Sequence, residues 1–223
     1  METLRDIEAA VRRLSAGDRA KLMERLDAFP TGVHESAPAY QTEQAPLSVE
    51  DYLRYEEGSE IRHEYVSGVR YAMSGVSEPH HLITGNLFAA LHTHLRGGPC
   101  RTYMSDFKLR LQIDQDDLFY YPDVMVACER EGVEKYYLRY PQLIVEVLSP
   151  STASIDRREK RMHYARIRTV EEYVIASQDD YEILYHGRAD RWTPQRLSGA
   201  SAALELRSVG LTLSFAEIYN RVL

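Results

Sequence analysis

A chain of 223 residues is long enough for one substantial domain with an appendage, at roughly 150 residues per domain. Its composition, 44% hydrophobic and 27% charged, is that of a globular protein and excludes wholesale disorder. Lys and Arg number 27 against 34 Asp and Glu, a formal net charge of −7, which excludes a generally basic polymer binder but not a local basic patch.

Two cysteines, Cys100 and Cys128, show no CxxC spacing, so neither a disulfide framework nor a four-thiolate zinc site is expected. The opening residues METLRDIEAAVRRL are charged through their first turns and lack the apolar core of a signal peptide. No stretch approaches the roughly 20 apolar residues of a spanning helix. These features lead us to expect a cytoplasmic protein with no membrane association.

In chain order, Leu4, Ile7, Val11 and Leu14, then Leu22, Met23, Leu26 and Phe29, fall at helical spacing around a break at Ser15–Asp18. A helical hairpin is predicted over residues 1–29. Residues 30–46 are rich in Pro, Gly, Ser, Thr and Gln and read as a linker. One domain is expected over 47–223. It begins with a helix opened by Ser48, where Asp51 stands in the capping-box position usually held by Glu or Gln. Alternating runs around Ser67-Gly68 predict a hairpin, and Ile83, Leu87, Leu91 and Leu95 predict a helix over 79–96. Strand-rich runs follow at 100–113, 119–128 and 141–149, then a helix near 155–167 and strands at 171–177 and 181–187. Residues 196–213 read as a strand and loop, and 215–222 as a closing helix. The result is a mixed α/β arrangement.

The segment YYPDVMVAC, at 120–128, is followed about 20 residues later by LIVEVLSPST at 143–152. Asp123 and Glu146 are acids inside apolar, β-rich runs, and burying either without a partner costs several kcal/mol. The pair reads either as a shared cation site, since Mg²⁺ is typically held by one or two carboxylates and waters, or as a structural hydrogen-bond network. Residues 156–168, DRREKRMHYARIR, carry six Lys or Arg against two acids, with Lys160 and Tyr164 at i, i+4. That helix is either a cationic face for a phosphate backbone or a solvated amphipathic surface.

Taken together, RHEYVSGVRYAMSG, YYPDVMVA and LIVEVLSPST with the following Asp, Lys and Tyr resemble the bacterial Uma-two family of restriction-endonuclease-like proteins, within the PD-(D/E)XK nuclease superfamily. The resemblance covers roughly residues 47–222. It implies a restriction-endonuclease-like core, a mixed β-sheet flanked by helices, and an Mg²⁺- or Mn²⁺-dependent phosphodiesterase site acting on DNA. It further implies that Asp123 and Glu146 are the metal-binding acids and Glu64 a further acid that coordinates the ion directly or through water. The superfamily's lysine two residues after the second acid is Leu148 here, so Lys160 is the implied relocated catalytic lysine, with Lys108 next in order. Leu148 also sustains the alternative of a nuclease-fold module that binds nucleic acid or protein without catalysis. The tethered hairpin leads us to expect a homodimer or larger assembly, or a partner docked through the hairpin.

Other signals carry less. His92 and His94 sit about 200° apart on the predicted helix, adjacent His80 and His81 point apart, and no HExxH motif exists, so a zinc site is not expected. Ser149 and Ser151 lack a GxSxG elbow. Tyr120, Tyr121, Tyr136, Tyr137 and Tyr140 read as packing residues before base-stacking ones.

Overall fold

Two segments that read as single strand-rich runs each break in the middle, and those breaks place strands in two different sheets. The computed structural model describes residues 46–149 and 156–223. The hairpin expected at 1–29 and all of the expected linker but Pro46 lie outside the described residues.

Helix α1 (Val49–Gly58) starts at Ser48, whose Oγ accepts the Asp51 amide. Strands β1 (His63–Val66) and β2 (Val69–Ala72) form the expected hairpin. Ser67 and Gly68 have φ of 48° and 93°, the mirror-image turn that suits strand twist, and a Cβ at Gly68 would come within 2.7 Å of Pro46. Helix α2 (Glu78–His94) is capped by Ser77, which accepts the His80 amide. The run at 100–113 divides into β3 (Arg101–Met104) and β4 (Lys108–Ile113) at Ser105, where φ is 48°. The run at 119–128 divides into β5 (Asp116–Tyr120) and β6 (Val124–Ala127) around Pro122, which has no amide hydrogen for a ladder.

Next come β7 (Tyr137–Leu138) and β8 (Leu143–Val147), and then a wide π-type turn (Asp156–Lys160) leading into α3 (Arg161–Arg166). Strands β9 (Glu172–Ala176), β10 (Glu182–Gly187) and β11 (Gln195–Ser198) follow as a meander. Within the run expected as a strand and loop, β11 is the strand, and the loop forms a further hairpin of β12 (Ala203–Leu206) and β13 (Leu211–Ser214). The closing helix α4 (Phe215–Ile218) is shorter than predicted, one turn held by a Ser214–Glu217 capping box.

One sheet has the order β2-β1-β5-β4-β7 and the other β11-β10-β9-β8-β6-β3, with β12-β13 as a separate ribbon. Both large sheets are mixed, with parallel pairs β4–β7 and β8–β9. Alternation across β6, β8 and β9 sends Val124, Val126, Val145, Val147 and Val174 to one face, where they pack on Ile83, Leu87 and Leu91 of α2. Met125, Ile144, Tyr173 and Ile175 face the other way, onto Leu109, Leu111 and Tyr120 of the second sheet and Tyr164 of α3. The fold is therefore α+β, with helices on a mixed-sheet core. Among the described residues no helix is long and apolar enough to cross a membrane.

Cys100 and Cys128 are disulfide-bonded, which corrects the expectation drawn from their spacing. They flank paired strands: Arg101 of β3 lies opposite Ala127 of β6, so the next residues outward face each other. A separation of 28 residues in sequence conceals that register.

Candidate active site

Glu146 lies in β8 between Ile144 and Leu148, and the same alternation turns all three toward α3 and the second sheet. It is 3% exposed, so its charge needs partners. Lys160 Nζ, itself 4% exposed, lies 3.2 Å from Glu146 Oε1, and the Tyr164 hydroxyl donates to the same oxygen at 2.9 Å. The helical spacing of Lys160 and Tyr164 places both on one carboxylate. Burial, reinforced by the Glu146 charge, pushes the Tyr164 hydroxyl pKa well up, so it stays a donor.

Asp123 immediately precedes β6. The β6–β8 register pairs Val124 with Val145, and continuing it by one residue sets Asp123 opposite Glu146. Their contacts follow: the Asp123 amide donates to Glu146 Oε2 at 3.4 Å, and the Val147 amide donates to Asp123 Oδ2 at 2.7 Å. Glu64 arrives from β1 in the other sheet, where its Oε1 lies 2.9 Å from Lys160 Nζ. This is an ion-pair approach without hydrogen-bond alignment, because the same oxygen has no hydrogen-bond partner among the described residues. The ammonium thus sits between two carboxylates drawn from separate sheets.

All four residues singled out in the sequence are therefore brought together, whereas Lys108 is elsewhere. Its Nζ lies 5.3 Å from the Tyr121 ring and 5.7 Å from the Tyr136 ring, and burial lowers its pKa. Sequence reasoning missed His80, whose Nε2 is 3.3 Å from Asp123 Oδ2. Its only sequence signal is a place in the first turn of α2, three residues after the Ser77 cap. Tyr120 is buried as a packing residue should be, but its ring also lies 5.3 Å from Lys160 Nζ.

As a donor set, Asp123 and Glu146 are hard carboxylates of the kind that suits Mg²⁺ or Mn²⁺. Asp123 keeps Oδ1 without a hydrogen-bond partner among the described residues, on a side chain that is 17% exposed. The residues fit such an ion as a two-carboxylate site completed by water. Among the described residues no three His, Cys, Asp or Glu side chains form a ready cage, and Glu64 faces the ammonium instead.

A family model described as "Putative restriction endonuclease", Uma2, matches residues 49–216. The chain belongs to the Uma2 family. Among its relatives, the uncharacterized Synechocystis protein slr1290 is 39% identical over 177 residues, covering 78% of this chain and 92% of that protein. A second Synechocystis protein, the uncharacterized sll1609, is 30% identical over 164 residues, covering 71% and 92%. The crystal structure of a putative nuclease belonging to DUF820 from Anabaena variabilis superposes with a TM-score of 0.65 at 14% identity. It covers 80% of this chain and all of that one, and at such identity the likeness concerns the fold alone. The fold of this Uma2 protein is thus nuclease-like.

Proposed function

We propose that this Uma2 protein hydrolyses DNA phosphodiester bonds with the help of Mg²⁺ or Mn²⁺. The observation that carries the reading is the Lys160 ammonium held by Glu146 and Glu64 beside the Asp123–Glu146 pair. Asp123 and Glu146 would hold the ion. Bound there, a divalent cation supplies Lewis acidity, making water a better nucleophile and drawing charge from the phosphoryl group. Lys160 supplies a fixed positive charge where negative charge develops on the phosphate, and Leu148 leaves that task to it. Glu64 and Tyr164 keep the ammonium and Glu146 in position, while His80 and the Val147 amide orient Asp123. On this reading residues 47–223 form the catalytic domain, and the N-terminal 29 residues, tethered by the linker, mediate homodimerisation.

The test is plasmid nicking with Mg²⁺ or Mn²⁺, in which Asp123→Ala should abolish the activity; equal nicking by the variant overturns the assignment. A second reading, a non-catalytic nuclease-fold binding module, draws on the same network, because Lys160 and Tyr164 already satisfy Glu146 without an ion. Calorimetric titration of Mg²⁺ separates the two. Heat seen with wild type and lost in Glu146→Ala supports the metal reading, and none with either supports the module.

A further inference from the structure

Beside Tyr120 lies a cleft of about 240 Å³ walled by β4, the residues after β7, and the end of α3. Four arginines line it, Arg110, Arg139, Arg166 and Arg168, with the guanidiniums of Arg110 and Arg139 each 5.6 Å from the Tyr137 ring. In a chain of net charge −7 this concentration is local. Arg110 is paired with Asp117 at 2.9 Å, and Arg166 meets the exposed Asp114 at 3.4 Å. Arg139 and Arg168 have no carboxylate within ion-pair distance among the described residues, so the cleft keeps an excess of positive charge. Ile113 and Ile167 contribute apolar surface, and Tyr140, 39% exposed, offers a ring face.

The chemistry calls for an anion with a flat or apolar part. Planar guanidinium groups match phosphate oxygens in a two-pronged fashion, and aromatic faces accept nucleobases of any sequence. The cleft also adjoins the candidate site. His163, on its wall, has Nδ1 2.8 Å from the Tyr120 hydroxyl, and the Tyr120 ring lies 5.3 Å from Lys160 Nζ. One aromatic ring separates the two places.

We propose that this cleft binds nucleotide phosphate, gripping it chiefly through Arg139 and Arg168. The inference rests on the nuclease reading only in taking the phosphate to come from the strand presented to Lys160. A free nucleotide presents the same chemistry. An acidic peptide is the competing class, disfavoured because it has no use for the exposed ring beside the arginines.

The experiment measures anisotropy of a labelled DNA oligonucleotide with the full chain in EDTA, across a salt series. The wild type is compared with the double variant Arg139→Gln/Arg168→Gln, whose melting temperature is checked first. The expected result is weaker binding by the variant, with the slope of log affinity against log salt reduced by roughly two. Arginine-dependent displacement by AMP assigns the cleft to free nucleotides, and resistance to AMP assigns it to a strand. An unchanged slope, no binding by wild type, or equally strong binding of polyglutamate overturns the proposal. Plasmid nicking by the same proteins keeps the two readings apart. Arginine-dependent binding without nicking removes only the nuclease reading, and nicking with unchanged binding removes only the cleft.

Discussion

Replacing Lys160 by Met removes the cation that Glu146 and Glu64 share while keeping a side chain of similar length. Glu146 is 3% exposed and accepts from the Tyr164 hydroxyl and the Asp123 amide besides its contact with the Lys160 ammonium. Breaking a buried ion pair from one side costs about 3–5 kcal/mol, mostly the penalty of a stranded charge. The lower end applies here, because the Glu64 side chain is 17% exposed and turns partly to water. A loss of about 3 kcal/mol corresponds to a fall in Tm of roughly 6–12 °C for a domain of this size. Urea unfolding and thermal melts of Lys160→Met give both numbers. The double variant Lys160→Met/Glu146→Leu should recover much of the loss, because an apolar pair of similar volume carries no stranded charge. A loss below about 1 kcal/mol, or strict additivity in the double variant, would refute the buried network.

Two further outcomes follow from other parts of the molecule. Reducing the Cys100–Cys128 bridge, which closes a loop of 28 residues, should cost up to roughly 3–4 kcal/mol by loop entropy, read as a lower Tm in dithiothreitol. An identical melt in Cys100→Ser/Cys128→Ser would show that the bridge does not stabilise the fold. His186 is 3% exposed and its pKa is lowered by burial, so the unfolded chain binds the proton more readily. Its contribution is therefore intact above about pH 6.5 and is lost as pH falls from there through the lowered folded value. The stability of His186→Gln should fall less steeply than wild type between neutral pH and about pH 5, and equal slopes would place the acid sensitivity elsewhere.

Local residue patterns made much of the site legible. Asp123 and Glu146 stand out because near-continuous apolar, β-rich runs surround them, and a charge in such a run demands a partner. Lys160 and Tyr164 are readable as a pair because helical spacing is a local property. Glu64 entered only through a family resemblance, since nothing in RHEYVSG marks it as an acid in contact with Lys160. His80 and its neighbour make a poor metal pair in sequence, and His80 meets Asp123 only because α2 packs on the face of the sheet that carries β6.

By itself the sequence determined roughly which stretches are helical and which are strand-rich, and that two acids and a lysine sit in unusual surroundings. Periodicity along a few residues encodes those properties. Only the tertiary structure decided that the chain breaks at Ser105 and Pro122 to enter two sheets. The β6–β8 register set Asp123 against Glu146, and the β3–β6 register joined Cys100 to Cys128. The packing of the second sheet brought Glu64 to Lys160, and the meeting of β4, the residues after β7 and the end of α3 gathered four arginines around one cleft. Each of these depends on pairing between distant segments. That pairing is set by the competition of whole faces for burial, which no spacing within one segment records.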